Sequence, residues 1–362
     1  MENTVLARIG RALTEQSLSL EYTAHRGRSR ASALVPAEIL PEGAEALLGR
    51  DESRCVFLET QRGNLCAIHR QLGQTALPVA CRQFPRVCVL EPRGVRISLS
   101  HYCPTAAQML FREDASLDIV RSPEAFPDAA GYEGLDVREA LPPPLHAKVL
   151  MDYDGLEAWE SGVLALWSQV GISPERGLAV LRDAALRACR WRPGVEPLAS
   201  HVQRALREAN CRQTSTVTET RPWTAAIRTH DDVCACVPRD WRPRESMPLR
   251  ESFARFVAPV WPAFTRPICR YLAARSFANW TLQMGGGVLG HVASIAGAHD
   301  VLVVEAARLC ELEQGAVNAA RLLEAFRRAD HLLLHLARHD AVASLFAVAG
   351  RATAPKRPHR ER

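Results

Sequence analysis

The sequence predicts a mainly α protein in which a small irregular cysteine-cluster module with a short β-hairpin is followed by a helical domain. Three observations carry that expectation. Five of the eleven cysteines fall within residues 55–103. Beyond residue 112 apolar residues recur at helical spacing, as in Leu322, Leu323, Phe326, Leu333, Leu334 and Leu336. Strands and helices nowhere alternate in the way that builds a parallel sheet. At 362 residues and 47% hydrophobic, the chain is long enough for two domains with a sizeable buried core.

Taken in order, residues 1–115 form the cysteine-cluster, metal-binding part with its N-terminal helices. Val5 to Thr14 and Pro36 to Leu48 have helical apolar spacing, and the Arg-rich stretch His25 to Ser32 between them reads as a loop. Val87 to Leu90 and Val95 to Leu99 flank Glu91-Pro92-Arg93-Gly94, two apolar runs about a turn, which predicts the β-hairpin. Pro104 sits where a first helical turn tolerates a missing N–H, opening a helix over Thr105 to Phe111. Residues 116–350 form the helical domain. Loop-like residues from Arg121 to Gly134 and Pro142-Pro143-Pro144 lead into helices over Leu145–Gly171, Pro174–Arg190 and Pro197–Asn210. An irregular stretch, Arg212 to Pro248, precedes helices over Arg250–Val260, Pro267–Met284, Val288–Leu312 and Gln314–Arg338, and a short last helix to Val348. Residues 351–362 read as a disordered basic tail.

Charge excludes one class of function. The net charge is +5, and the last twelve residues supply four of those five charges, which leaves the body nearly neutral. No basic field of the kind that phosphate backbones require is present, so no nucleic-acid partner is expected. Glu2, Arg8, Arg11 and Glu15 interrupt the first twenty residues, unlike the apolar region of a signal peptide. The most apolar long stretch, Gly285 to Val304, contains His291, His299 and Asp300, which favours a buried helix over a membrane span. A cytoplasmic protein with no membrane partner is the expectation, and its cysteines are then expected to be thiols or metal ligands.

The clustered cysteines ask for chemistry. Cys55, Cys66, Cys81 and Cys103, with Cys88 in reserve, supply the four sulfurs that a tetrahedral zinc or an iron–sulfur cluster demands. Structural zinc contributes roughly 10–16 kcal/mol in small domains, cohesion that a loop-rich stretch does not obtain from apolar burial. The spacing carries no C-x-x-C knuckle, so spacing leaves a metal site and packed core thiols equally open.

The residues between the cysteines go further. The strings Cys55-Val-Phe-Leu58, Leu65-Cys66-Ala-Ile-His69-Arg-Gln-Leu-Gly73, Leu77-Pro78-Val-Ala-Cys81-Arg82-Gln-Phe84-Pro85-Arg86 and Cys103-Pro104-Thr-Ala106-Ala107 resemble the YkgJ-type cysteine-cluster family, whose named member class is the flagellin lysine N-methylase. The strong match covers residues 55–107, and Arg270-Tyr271-Leu272 with Phe277 is similar, less specifically, to the family's helical C-terminal part. The resemblance implies a zinc- or iron-chelating cysteine cluster. For the methylase class it also implies S-adenosylmethionine as methyl donor and flagellin, or another protein, as the lysine-bearing partner. Family members carry a further C-x-x-C-C group upstream, which has no counterpart among residues 1–54.

Other residues have plainer readings. His69 and His101 fit hydrogen bonds to neighbouring groups, Arg82 and Arg86 fit a pinned turn, and Cys88 fits a packed thiol. Cys234-x-Cys236 after His230-Asp231-Asp232 allows a second metal but lacks a partner pair. Cys189, Cys211, Cys269 and Cys310 lie in or beside predicted helices as structural thiols. Gly285-Gly286-Gly287 follows a helical run rather than a strand, so it reads as a helix end and tight turn, not a cofactor-binding loop. No catalytic residue is assigned.

Overall fold

The computed structural model describes residues 50–51, 54–55, 57–59, 65–114, 117–122, 132, 134–212, 222–239 and 249–352. The helices expected over residues 5–14 and 36–48 and the tail from residue 353 lie outside the described residues. The chain divides into two compact units: Met1–Phe84 with Ala130–Glu133, and Pro85–Ala129 with Gly134–Arg362.

The first unit is built from minimal elements. Strands β1 (Arg50–Asp51) and β2 (Arg54–Cys55) pair antiparallel, as do β3 (Leu58–Glu59) and β4 (Leu65–Cys66). Helix α1 (Ala67–Leu72) follows β4 directly, and the Ala67 N–H donates to the Phe57 carbonyl at 2.8 Å, which folds the helix start against the β3 end. Gly73 stops it: at φ +82° it takes a left-handed conformation while its N–H donates to the His69 carbonyl. Helix α2 (Val79–Gln83) completes the unit. Its described core is Phe57, Ala67, Ile68, Ala76 and Leu77. Glu59, buried beside that core, accepts a two-pronged ion pair from Arg70 at 2.7 and 2.6 Å.

The second unit is mostly helical. Strand β5 (Arg86–Glu91) pairs antiparallel with β6 (Gly94–Leu99), Glu91 facing Gly94, and β7 (Leu135–Asp136) adds to β5 in parallel. Gly134 is required beside it, because a Cβ there would lie 2.5 Å from the Cys88 carbonyl oxygen. Buried Glu91 holds Arg93 and Arg96, and Arg96 reaches buried Glu160, tying the sheet to the helices.

A short hairpin, β8 (Pro144–His146) with β9 (Val149–Leu150), occupies residues that periodicity assigns to a helix from Leu145. The helix begins only at α4 (Tyr153–Trp167), where the Asp152 side chain accepts from the Gly155 N–H at 2.6 Å. Helix α5 (Pro174–Ala188) starts on a Ser173 cap with Pro174 at its first turn, and α6 (Leu198–Arg212) packs on both α4 and α5. Helix α7 (Trp223–Ala235) corrects the sequence reading, which treats 212–248 as irregular throughout; its buried face is Ala226, His230 and Val233. Helix α8 (Thr265–Ser276) ends earlier than expected. Ala278, at φ +51°, breaks the run that sequence pattern extends to Met284.

At the centre lies α9 (Gly287–Glu313), buried on nearly every side and packed by α5, α7, α8, α10 (Ala319–Asp330) and α11 (His339–Ala352). Its polar members, His291, His299, Asp300 and Glu305, are buried too. Gly285 at φ +90° makes the bend before it, so Gly285-Gly286-Gly287 is an interhelical turn. Among the described residues, Leu282–Glu313 is the one single helical run long and apolar enough to cross a membrane, and 83% of its most apolar part is buried inside the protein. After α10 the chain widens into a π-helical turn, His331–Leu336, before α11.

Candidate metal centre

The four candidate ligands, Cys55, Cys66, Cys81 and Cys103, sit on four different elements. Cys55 ends β2 opposite Arg50 and is half-buried. Cys66 ends β4 opposite Leu58 and occupies the cap position of α1, half-buried. Cys81 is exposed in α2. Cys103 belongs to the second unit, half-buried, at the cap position of α3 (Pro104–Met109), whose Pro104 stands in the first turn. Cap positions favour Ser, Thr, Asp or Asn, whose side-chain oxygen accepts a helix N–H. Neither Cys66 nor Cys103 uses its sulfur in that way.

The segment carrying Cys103 is fixed from the far end of the chain. Asp330, at the end of α10 and wholly buried, accepts from the His101 backbone N–H at 2.6 Å, from His101 Nδ1 at 3.1 Å and from the Tyr271 hydroxyl at 2.9 Å. Burial alone would push its carboxyl up. The Arg275 guanidinium, 3.9 Å away, and His101 outweigh that and hold it below the usual range. Tyr271, buried next to this charge, is pushed well above an ordinary phenol and remains a donor. On either side, Ser100 Oγ meets His335 Nε2 at 2.8 Å, and the Tyr102 ring stacks on His331 at 4.4 Å between centroids. Arg327 Nε donates to the Tyr102 carbonyl. Three consecutive residues before Cys103 are thus anchored on 327–335, including the π-helical turn, a feature that often accompanies function.

Cys88, Cys189 and Cys269 behave as packed thiols. Burial pushes Cys88 up to about 11, with Arg86 opposing, and pushes Cys189 and Cys269 up to about 12. The last two donate weakly to the carbonyls of Leu145 and Ile172. His69 is exposed on α1. Among the described residues, no group of three or more His, Cys, Asp or Glu side chains is gathered as a metal ion requires. Thiolates are the donors that zinc or an iron–sulfur cluster takes, but no coordination shell is preformed among the described residues.

Sequence reasoning missed Asp330, His331 and His335, and met Tyr271 only in the weaker C-terminal resemblance. The spacing of His331 and His335 by four in an apolar helical stretch was the one signal available for them. No family model matches the chain, and no curated protein or solved structure matches it.

Proposed function

We propose that this chain is a cytoplasmic cysteine-ligated metal protein in which Cys55, Cys66, Cys81 and Cys103 hold zinc or an iron–sulfur cluster. The observation that carries the reading is the pair of cap cysteines: Cys66 and Cys103 stand where a capping side chain belongs, yet neither sulfur caps its helix. The backbone before Cys103 is moreover pinned by a buried ionic network that helix packing alone does not require. A bound metal would supply cohesion to a first unit whose described core is Phe57 with four small-to-medium side chains, Ala67, Ile68, Ala76 and Leu77. The chain's own residues do the rest: Asp330 orients His101, and Glu59–Arg70 fixes α1 against β3.

The test is metal analysis of the full chain purified anaerobically, with a visible spectrum. Bound iron with broad charge-transfer absorbance indicates a cluster, and a colourless zinc protein indicates a structural site. Cys66→Ser and Cys81→Ser are expected to lose metal, while Cys310→Ser, buried in α9, keeps it. Equal metal content in the three variants, or a metal-free parent, overturns the proposal.

The activity that the resemblance implies, methyl transfer from S-adenosylmethionine to flagellin lysines, rests on the motif residues of 55–107. Among the described residues the largest sheet has three strands. Incubation of the metal-loaded chain with flagellin and S-adenosylmethionine, read as methyl mass increments on lysine, decides between an enzyme and a non-enzymatic cysteine-cluster protein with a helical partner-binding domain.

A further inference from the structure

The second unit holds an open cleft of about 490 Å³, mouth included, within the range that small-molecule sites occupy. Its walls are the β5–β6 hairpin, the end of α8 with the residues after it, the π-helical turn and the start of α11. Two backbone irregularities border it. Ala278, a non-glycine residue held at φ +51°, lies between Phe277 and Trp280 on one wall, and the π-helical turn brings Leu333 and Leu334 to another. Such departures from regular backbone cost free energy and gather at binding sites. Trp280 is fixed in place: its indole N–H donates to the Cys88 carbonyl at 3.1 Å, and its ring meets His339 edge-on at 4.3 Å between centroids.

Arg275 brings a permanent positive charge to this lining, and its donors are unspent. Its Nε is buried with no hydrogen-bond partner; Asp330 Oδ1 stands 3.9 Å away, too far to accept, and 17% of the Arg275 side chain still meets solvent. Asp330 gives its oxygens to His101 and Tyr271 instead. Neighbouring donors are used within the protein. Ser98 Oγ donates to the Ala274 carbonyl at 2.8 Å, Asn279 Nδ2 to the Arg275 carbonyl at 2.9 Å, and His339 Nε2 to the Leu334 carbonyl at 2.9 Å. A part-buried guanidinium without hydrogen bonds carries a desolvation cost that an incoming anion would offset.

We propose that this cleft binds a small organic monocarboxylate with an aromatic or branched apolar body. The Arg275 fork takes the carboxylate, and Phe277, Trp280, Leu333, Leu334 and Val342 cover the apolar part. Asp330 decides between carboxylate and phosphate. Its fixed negative charge beside Arg275 repels a dianion more than a monoanion, so a single charge on the ligand is the better match.

Isothermal titration calorimetry of the full chain with phenylacetate tests this, with phenylacetamide, acetate and inorganic phosphate as companions. Phenylacetate is expected to bind about tenfold or more tightly than each of the three, because the amide lacks the charge, acetate lacks the ring and phosphate carries too much charge. Arg275→Gln should remove the preference for phenylacetate over phenylacetamide. Leu334→Trp, which fills the cleft from a half-buried position and leaves Arg275 and Asp330 in place, should weaken phenylacetate about tenfold or more. Equal affinity of the parent for phenylacetate and phenylacetamide, tighter binding of phosphate, or no saturable phenylacetate binding up to about 10 mM overturns the proposal whatever the variants do. So does undiminished phenylacetate binding by Leu334→Trp whose circular dichroism shows it folded.

Discussion

His291 offers the sharpest test of the reasoning about buried polar groups. It sits on α9 with no exposed surface, accepting at Nδ1 from the Trp159 indole N–H at 2.8 Å and donating from Nε2 to the Ser276 carbonyl at 2.9 Å. Only the neutral ring satisfies both bonds, because a proton on Nδ1 would face the indole N–H. Burial accordingly lowers its pKa to about 4, against a small opposing effect of the Ser276 carbonyl. A folded value below the unfolded one means that the stabilisation is complete above pH 6.5 and is lost as pH falls through 4. The gap of about 2.5 units corresponds to about 3 kcal/mol, of which about 2 kcal/mol is already lost at pH 5. His291→Gln retains an acceptor and a donor without a titratable ring. Urea unfolding followed by tryptophan fluorescence reports this unit, since every tryptophan falls between residues 159 and 280. The variant is expected to be less stable than the parent at pH 7, with the difference shrinking by about 2 kcal/mol at pH 5. A stability difference that is the same at both pH values would refute the assignment of a neutral, doubly bonded ring.

Asp330→Asn is expected to cost about 3–5 kcal/mol, because it leaves Arg275 and His101 facing an uncharged partner. Tyr271→Phe, which removes one donor to the same carboxylate, should cost about 1.5–3 kcal/mol, and equal losses in urea titrations would show that Asp330 is not the hub. At Gly297, a Cβ would lie 2.2 Å from the Phe346 ring, so Gly297→Ala should lower stability by about 1–3 kcal/mol. Phe346→Leu in the same chain should recover part of that loss, and strict additivity in the double-mutant cycle would contradict the contact.

The mostly helical character was legible because burial repeats along the helices: Leu322 and Phe326, four apart on α10, are both fully buried. Legibility failed where a local signal competed with periodicity. Apolar spacing carries on through Leu145, yet the prolines before it and the Asp152 cap delay α4 to Tyr153. At Ala278 no glycine or proline marks the left-handed break, so the end of α8 is written in packing rather than in residue type. Cysteine positions can be read directly, but Asp330 lies 229 residues from the His101 it holds, and such a pairing leaves no trace in local pattern. The contact of His230 with Cys234 and Glu305 was hidden for a related reason. Without α7, the one-turn spacing of His230 and Cys234 carries no meaning.

Helix α9 receives one of its walls from α11, which follows it in the chain. Until residue 352 has been synthesised, Gly290, Gly297 and their neighbours form an open greasy trough where Phe346 and Gly350 later settle. Nascent chains therefore wait, partly unsealed, between the synthesis of α9 and that of α11, and a message cut short before codon 339 would yield a sticky product, prey for chaperones and proteases.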